Sequence, residues 1–113
     1  MDPEDFLPLT AVVFEILLAL ADGERHGYDV MQDVERRTGG QIALHAGTLY
    51  RALSRLLDQG LIEEMDARPD PAADERRRYY GLTPLGRAVA RAEAARLASQ
   101  LDTARRLLRG RRS

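Results

Sequence analysis

Cysteine, lysine and tryptophan are all missing from this 113-residue chain, and aromatic residues make up only 5% of it. Without cysteine there are no disulfides and no thiolate metal sites. With two Phe and four Tyr as the whole aromatic supply, the core must be packed with Leu, Val, Ile and Ala, which suits helices better than a sandwich. Long apolar runs are missing as well: the longest, Ile16 to Ala21, falls far short of the ~20 residues that span a bilayer. The opening Met1-Asp-Pro-Glu-Asp5 is acidic where a secretory signal carries positive charge. The expectation is a soluble, cytoplasmic protein.

The length allows one domain with one appended element, and a hydrophobic content of 44% is enough for a real core. The net charge of −1 hides an asymmetry: residues 1–64 hold five Arg against twelve acids, and residues 65–113 hold twelve Arg against six. Bulk charge therefore does not supply the basic footprint usual for nucleic-acid binding, and any such surface must be local.

Four helical segments and one hairpin are predicted. Leu9, Val12, Val13, Ile16, Leu17 and Leu20 recur at helical spacing from Pro8 to Ala21, with Pro8 in the first helical position and Asp22-Gly23 as the stop. A second helix runs from His26 or Gly27 to Thr38 and ends at Gly39-Gly40. A third runs from Thr48 to Gln59, with Leu49, Leu53, Leu56 and Leu57 as its buried stripe. Leu61–Met65 and Arg76–Leu82 read as two strands joined by the acidic, proline-bearing segment Asp66–Glu75. Thr83-Pro84 then starts a last helix, with Thr as cap and Pro at the first position, running to Leu108. The fold class that follows is mainly α with a small β-hairpin: a winged helix-turn-helix over residues 1–83, then a long C-terminal dimerisation helix and basic tail over residues 84–113.

The third helix carries the first functional signal. Opposite its leucines lie Tyr50, Arg51, Ser54, Arg55 and Asp58, with Tyr50/Ser54 and Arg51/Arg55 each spaced i, i+4. Arginine donates bidentately to guanine edges or phosphates, and hydroxyls reach the same groups; Gly47 and Thr48 at the helix start bring backbone amides within reach of a phosphate. An ordinary solvated helix face has the same composition. Arg76, Arg77 and Arg78 stand on the hairpin, where alternation sends Arg77 to the face opposite its neighbours. Along the last helix Ala90, Ala94, Leu97, Leu101, Ala104 and Leu108 are separated by gaps of four and three, a heptad seam. A helix of this length extends roughly 37 Å, more than a small domain covers, so a second copy is expected against it. His26 and His45 are the only histidines and are not at metal-ligand spacing. No nucleophile–base grouping or phosphate-binding glycine loop is present, so neither an enzyme, a metal site nor a cofactor is expected.

Four blocks in order, Leu17–Tyr28 (LLALADGERHGY), Gly47–Leu53 (GTLYRAL), Leu56–Glu64 (LLDQGLIEE) and Arg77–Gly86 (RRYYGLTPLG), resemble PadR-type regulators, short form, over about residues 8–100. The resemblance implies a homodimeric winged-helix repressor of transcription on double-stranded DNA at a palindromic operator. It puts Tyr28, Thr48, Tyr50, Arg51 and Arg55 near DNA and Arg77 and Arg78 on the wing; Ser54 joins them from its place on the third helix. It also implies a small apolar effector at the dimer interface, for which Phe6, Phe14 and the apolar side of the last helix are the available lining. The alternative is the same winged fold used as a protein–protein interaction module without its own operator, a reading favoured by the acidic N-terminal half.

Overall fold

Thr10, not Pro8, starts the first helix. In the computed structural model, which describes residues 1–65 and 78–109, the Thr10 hydroxyl accepts a hydrogen bond from the Val13 amide at 3.1 Å, and α1 spans Ala11–Ala21. Proline at a first helical position needs a cap just before it, and here the capping side chain lies two residues beyond Pro8. The approach to α1 contains a short 3₁₀ turn, Pro3–Phe6, which the apolar spacing does not reveal. Ile16, Leu17, Ala19 and Leu20 of α1 are buried, and the helix packs on three other elements of the fold. That is the environment an all-round apolar helix requires.

Arg25–His26 form a two-residue strand, β1, and α2 follows over Gly27–Arg37. Gly39 sits at φ 62°, and the Gly39 and Gly40 amides donate to the Arg36 and Glu35 carbonyls at 3.2 and 2.8 Å. That pairing ends a helix on a left-handed residue, where glycine escapes the Cβ penalty. The third helix, α3, spans Ala46–Asp58, starting two residues before the expected Thr48. It ends the same way: Gly60 is at φ 74°, with the Gly60 and Leu61 amides bonded to the Leu57 and Leu56 carbonyls.

Strands β2 (Ile62–Met65) and β3 (Tyr79–Leu82) pair antiparallel with Ile62 opposite Leu82, as the hairpin reading requires. The sheet has a third member, because β1 pairs antiparallel with the other edge of β3 in the order β1-β3-β2. The fold is thus mainly helical with a small antiparallel sheet, the winged-helix class expected. Arg76 and Arg77 lie outside the described residues.

The last helix, α4, spans Pro84–Leu108, the range expected from Thr83-Pro84. Its start is capped by Thr83 and locked to the end of α3 by three contacts. Thr83 accepts from the Gly86 amide at 3.0 Å, donates its hydroxyl to the Gly60 carbonyl at 2.6 Å, and gives its own amide to the Leu61 carbonyl at 3.2 Å. Gly86 lies so close that a Cβ there would stand 1.8 Å from the Leu61 carbonyl oxygen. The core beneath this joint is Ile16, Leu17, Val30, Val34, Leu49, Leu53, Leu56, Leu61 and Val89 with their neighbours. Among the described residues, no helix is long and apolar enough to cross a membrane.

Candidate nucleic-acid interface

The burial of Leu49, Leu53 and Leu56 on one side of α3 dictates what the other side presents. Thr48, Tyr50, Arg51, Ser54 and Arg55 are all exposed. Among the described residues neither the Arg51 nor the Arg55 side chain is engaged in an ion pair or hydrogen bond. Both line a shallow groove of about 270 Å³ whose floor is Val13 of α1 and Ala52 and Leu56 of α3. The N-cap of α3 is His45, whose side chain makes no capping bond. The first amides of a helix have no intrahelical partner, so this end of α3 can receive an anion.

Tyr50 has a second role. A Cβ at Gly27 would lie 3.1 Å from the Tyr50 ring, so the ring rests on the first residue of α2 and fixes the angle between the two helices. Tyr28, one residue on, is 60% exposed and lies at the same junction. α2 is in turn tied to α1 through a network: Asp33, 3% exposed, accepts from Arg36 and from Arg37. Arg37 also donates to the Glu15 carboxylate at 2.7 Å and the Glu15 carbonyl at 2.8 Å. Burial by itself would raise the Asp33 carboxyl, but the bond and charge of Arg37, with Arg25 and Arg36 nearby, outweigh it and hold the group below its ordinary value. The Asp33/Arg37 half of this network is visible as an i, i+4 pair in the sequence; the Glu15 half is not.

On the sheet, Arg78 is exposed and its guanidinium lies 2.9 Å from Glu64 of β2. A surface pair of this kind is worth ~0–1 kcal/mol, so a phosphate can displace Glu64 from it. Sequence reading finds the arginine but not its carboxylate, because the pairing depends on strand register. Tyr80 behind it is buried, and that burial, with Glu64 nearby, raises its hydroxyl above the ordinary range. Arg77 lies outside the described residues.

The seam on α4 divides in two. Ala90 is 7% exposed and packs in the chain's own core. Small and tightly packed, it sits where α4 still crosses the domain. Ala94, Leu101 and Leu108 are exposed, and Leu97 and Ala104 are half-buried. Phe6 and Phe14 pack, half-buried, against the core and do not line the groove beside Arg51 and Arg55.

The family model for PadR-like transcriptional regulators matches residues 16–92, from within α1 to the first half of α4. The chain belongs to the PadR-like family. It is similar to protein X of Lysinibacillus sphaericus, 32% identical over 73 residues, which cover 65% of each chain. It is also similar to a 37.1 kDa protein in transposon TN4556 of Streptomyces fradiae, 35% identical over 83 residues that cover 74% of this chain. The match thus spans 65% of the first relative and 22% of the second. In fold it is similar to a PadR family transcription regulator from Clostridium difficile, with a TM-score of 0.72 at 21% identity, covering 88% of this chain and 99% of that one. PadR-like membership accounts for the α1–α3 core, the β2–β3 wing and the start of α4, and it places the chain in a family of transcriptional regulators.

Proposed function

We propose that the protein is a sequence-specific DNA-binding regulator that represses transcription as a homodimer on a palindromic operator. The observation that carries this reading is the outward face of α3: two unpaired arginines one turn apart, flanked by Thr48, Tyr50 and Ser54, on a helix whose other face is buried. Arg51 and Arg55 read base edges or clamp phosphates in the major groove; Tyr28 and Thr48 contact the backbone and set the register. Arg77 and Arg78 follow the backbone from the wing, Arg78 by exchanging Glu64 for a phosphate.

Residues 1–83 form the DNA-binding unit in this account and residues 84–113 the dimerisation element. The seam from Ala94 through Leu97, Leu101 and Ala104 to Leu108 meets its two-fold mate. Symmetry then sets the two α3 helices about 34 Å apart, one turn of the duplex. A small apolar effector at that interface, near Phe6 and Phe14, releases the operator only to the extent that it prefers the geometry that does not fit DNA.

The test is the double variant R51A/R55A, compared with the parent on the intergenic DNA upstream of its own gene by fluorescence anisotropy. Each bidentate contact is worth about 1–3 kcal/mol, so the double variant is expected to lose selective binding while keeping its fold and its dimer. Undiminished selective binding by the variant overturns the assignment of α3.

A further inference from the structure

A second groove, half open and away from α3, combines apolar and charged side chains. It measures about 410 Å³ and lies where the end of α1, the β2 and β3 strands and the first turn of α4 converge. Small-molecule pockets run from roughly 300 to 1,000 Å³ and combine an apolar lining with a few polar groups. Here the apolar part is Leu20, Met65 and Leu82, and the charged part is Glu24, Glu63 and Arg87. Gly81 keeps the floor open: a Cβ there would meet Met65 Sδ at 3.4 Å and Glu24 Cγ at 3.5 Å.

The charges decide what fits. Among the described residues neither Glu24 nor Glu63 has an ion-pair or hydrogen-bond partner for its side chain. The nearby cation Arg25 is already engaged by the Asp22 carboxylate at 2.8 Å and the Ala19 carbonyl at 2.9 Å. Two carboxylates against the single guanidinium of Arg87 leave the groove with one net negative charge. Methionine adds a polarisable, adaptable wall that accepts apolar bodies of varied shape.

We propose that the groove between α1, the sheet and the start of α4 binds an amphipathic organic monocation. Its ammonium group pairs with Glu24 and Glu63, and its apolar body lies against Leu20, Met65 and Leu82. The site is separate from α3 and from the α4 seam, so it stands or falls independently of the proposed function.

The test is titration of the full chain with 4-phenylbutylamine, followed by amide chemical shifts, alongside its neutral analogue 4-phenylbutan-1-ol and its anionic analogue 4-phenylbutyrate. The amine is expected to bind saturably, shifting the amides of Glu24, Met65, Gly81 and Arg87. The alcohol should bind at least about threefold more weakly, and the carboxylate more weakly still. E24Q/E63Q should weaken the amine by about tenfold and leave the alcohol unchanged, as two exposed pairs allow. R87Q removes the competing cation and should tighten the amine by about threefold, a gain that mere structural damage does not produce. Absent saturable binding, equal affinity for amine and alcohol, shifts confined to other residues, or indifference to E24Q/E63Q would each overturn the proposal.

Discussion

The inner and outer halves of α4 carry one continuous repeat of Ala and Leu, yet they live in different surroundings. From Pro84 to Leu97 the helix crosses the winged unit, burying Gly86, Val89, Ala90 and Glu93. From Ala98 to Leu108 no residue of the helix is buried, and Leu101, Leu107 and Leu108 are 49%, 68% and 79% exposed. The inner half is also anchored by polar contacts. Glu93, 2% exposed, accepts from the Leu9 amide at 2.9 Å and pairs with Arg96 one turn on. An apolar repeat therefore does not by itself say which part serves the protein's own core and which part awaits a partner. Steric closeness and buried polar anchors mark the first; exposed leucine marks the second.

The sharpest way to break this distinction is at the joint. Gly86→Val forces side-chain carbon into the Leu61 carbonyl, a backbone group held on both sides and unable to move aside. The expected loss exceeds about 3 kcal/mol, a large part of the ~5–15 kcal/mol that holds a small domain folded. Thermal unfolding followed by circular dichroism should show the cooperative transition lowered severely or abolished; a melting temperature within a few degrees of the parent would contradict the packing described.

Glu93→Ala comes next, at about 2 kcal/mol, because it leaves the Leu9 amide without its acceptor and Arg96 without its partner. Glu93→Gln keeps an acceptor and should lose less. The pairing with Arg96 and the Leu9 amide hold the Glu93 carboxyl below its ordinary value of 4.5 against the opposing effect of burial, and Asp33 is held below 3.8. Groups depressed in the folded state stabilise it fully above those ordinary values, and the contribution is lost as pH falls through the lowered folded ones. Urea midpoints should thus be level from pH 7 to about pH 5 and decline below about pH 4. The decline should be shallower in a D33N/E93Q variant; equal slopes would contradict the assignment.

The outer half should respond differently. Leu101→Asp is expected to leave the winged unit folded and to weaken self-association by about 4 kcal/mol, the worth of one buried leucine side chain from each of the two copies. Sedimentation equilibrium reads this as a roughly thousandfold rise in the dimer dissociation constant; unchanged association would show that the exposed seam is not the interface. The smallest effect belongs to Arg78→Ala. It should reduce the slope of log affinity against log salt by about one, with a change in stability within about 0.5 kcal/mol, since its pairing with Glu64 is exposed.

How much of this was legible in the sequence differs between the same regions. α4 was readable end to end, because Thr83-Pro84 combines a cap with a proline at the first position and Leu108 closes the apolar repeat. The outward face of α3 was readable because its leucines define the opposite side. The start of α1 was misjudged, since proline suits several positions before a helix and only the Thr10 side-chain bond identifies the cap. β1 escaped notice: two residues carry no alternation, and Arg25–His26 become a strand only because Tyr79–Tyr80 are present to pair with. The Arg37–Glu15 and Arg78–Glu64 contacts and the Glu93 anchor on Leu9 are long-range products of packing and register, invisible to local pattern. A heptad repeat does not mark where the domain's own packing ends, so the burial of Ala90 is not legible from the spacing.

The central claim, a dimer that reads DNA with paired α3 helices, is tested most directly by binding to the intergenic DNA upstream of its own gene across a salt series, with scrambled DNA of equal length as control. The account predicts two protomers per site, selectivity over the scrambled DNA, and affinity that falls steeply with salt as phosphate contacts release counterions. Binding that is unselective at low salt, or selective with one protomer per site, would contradict it.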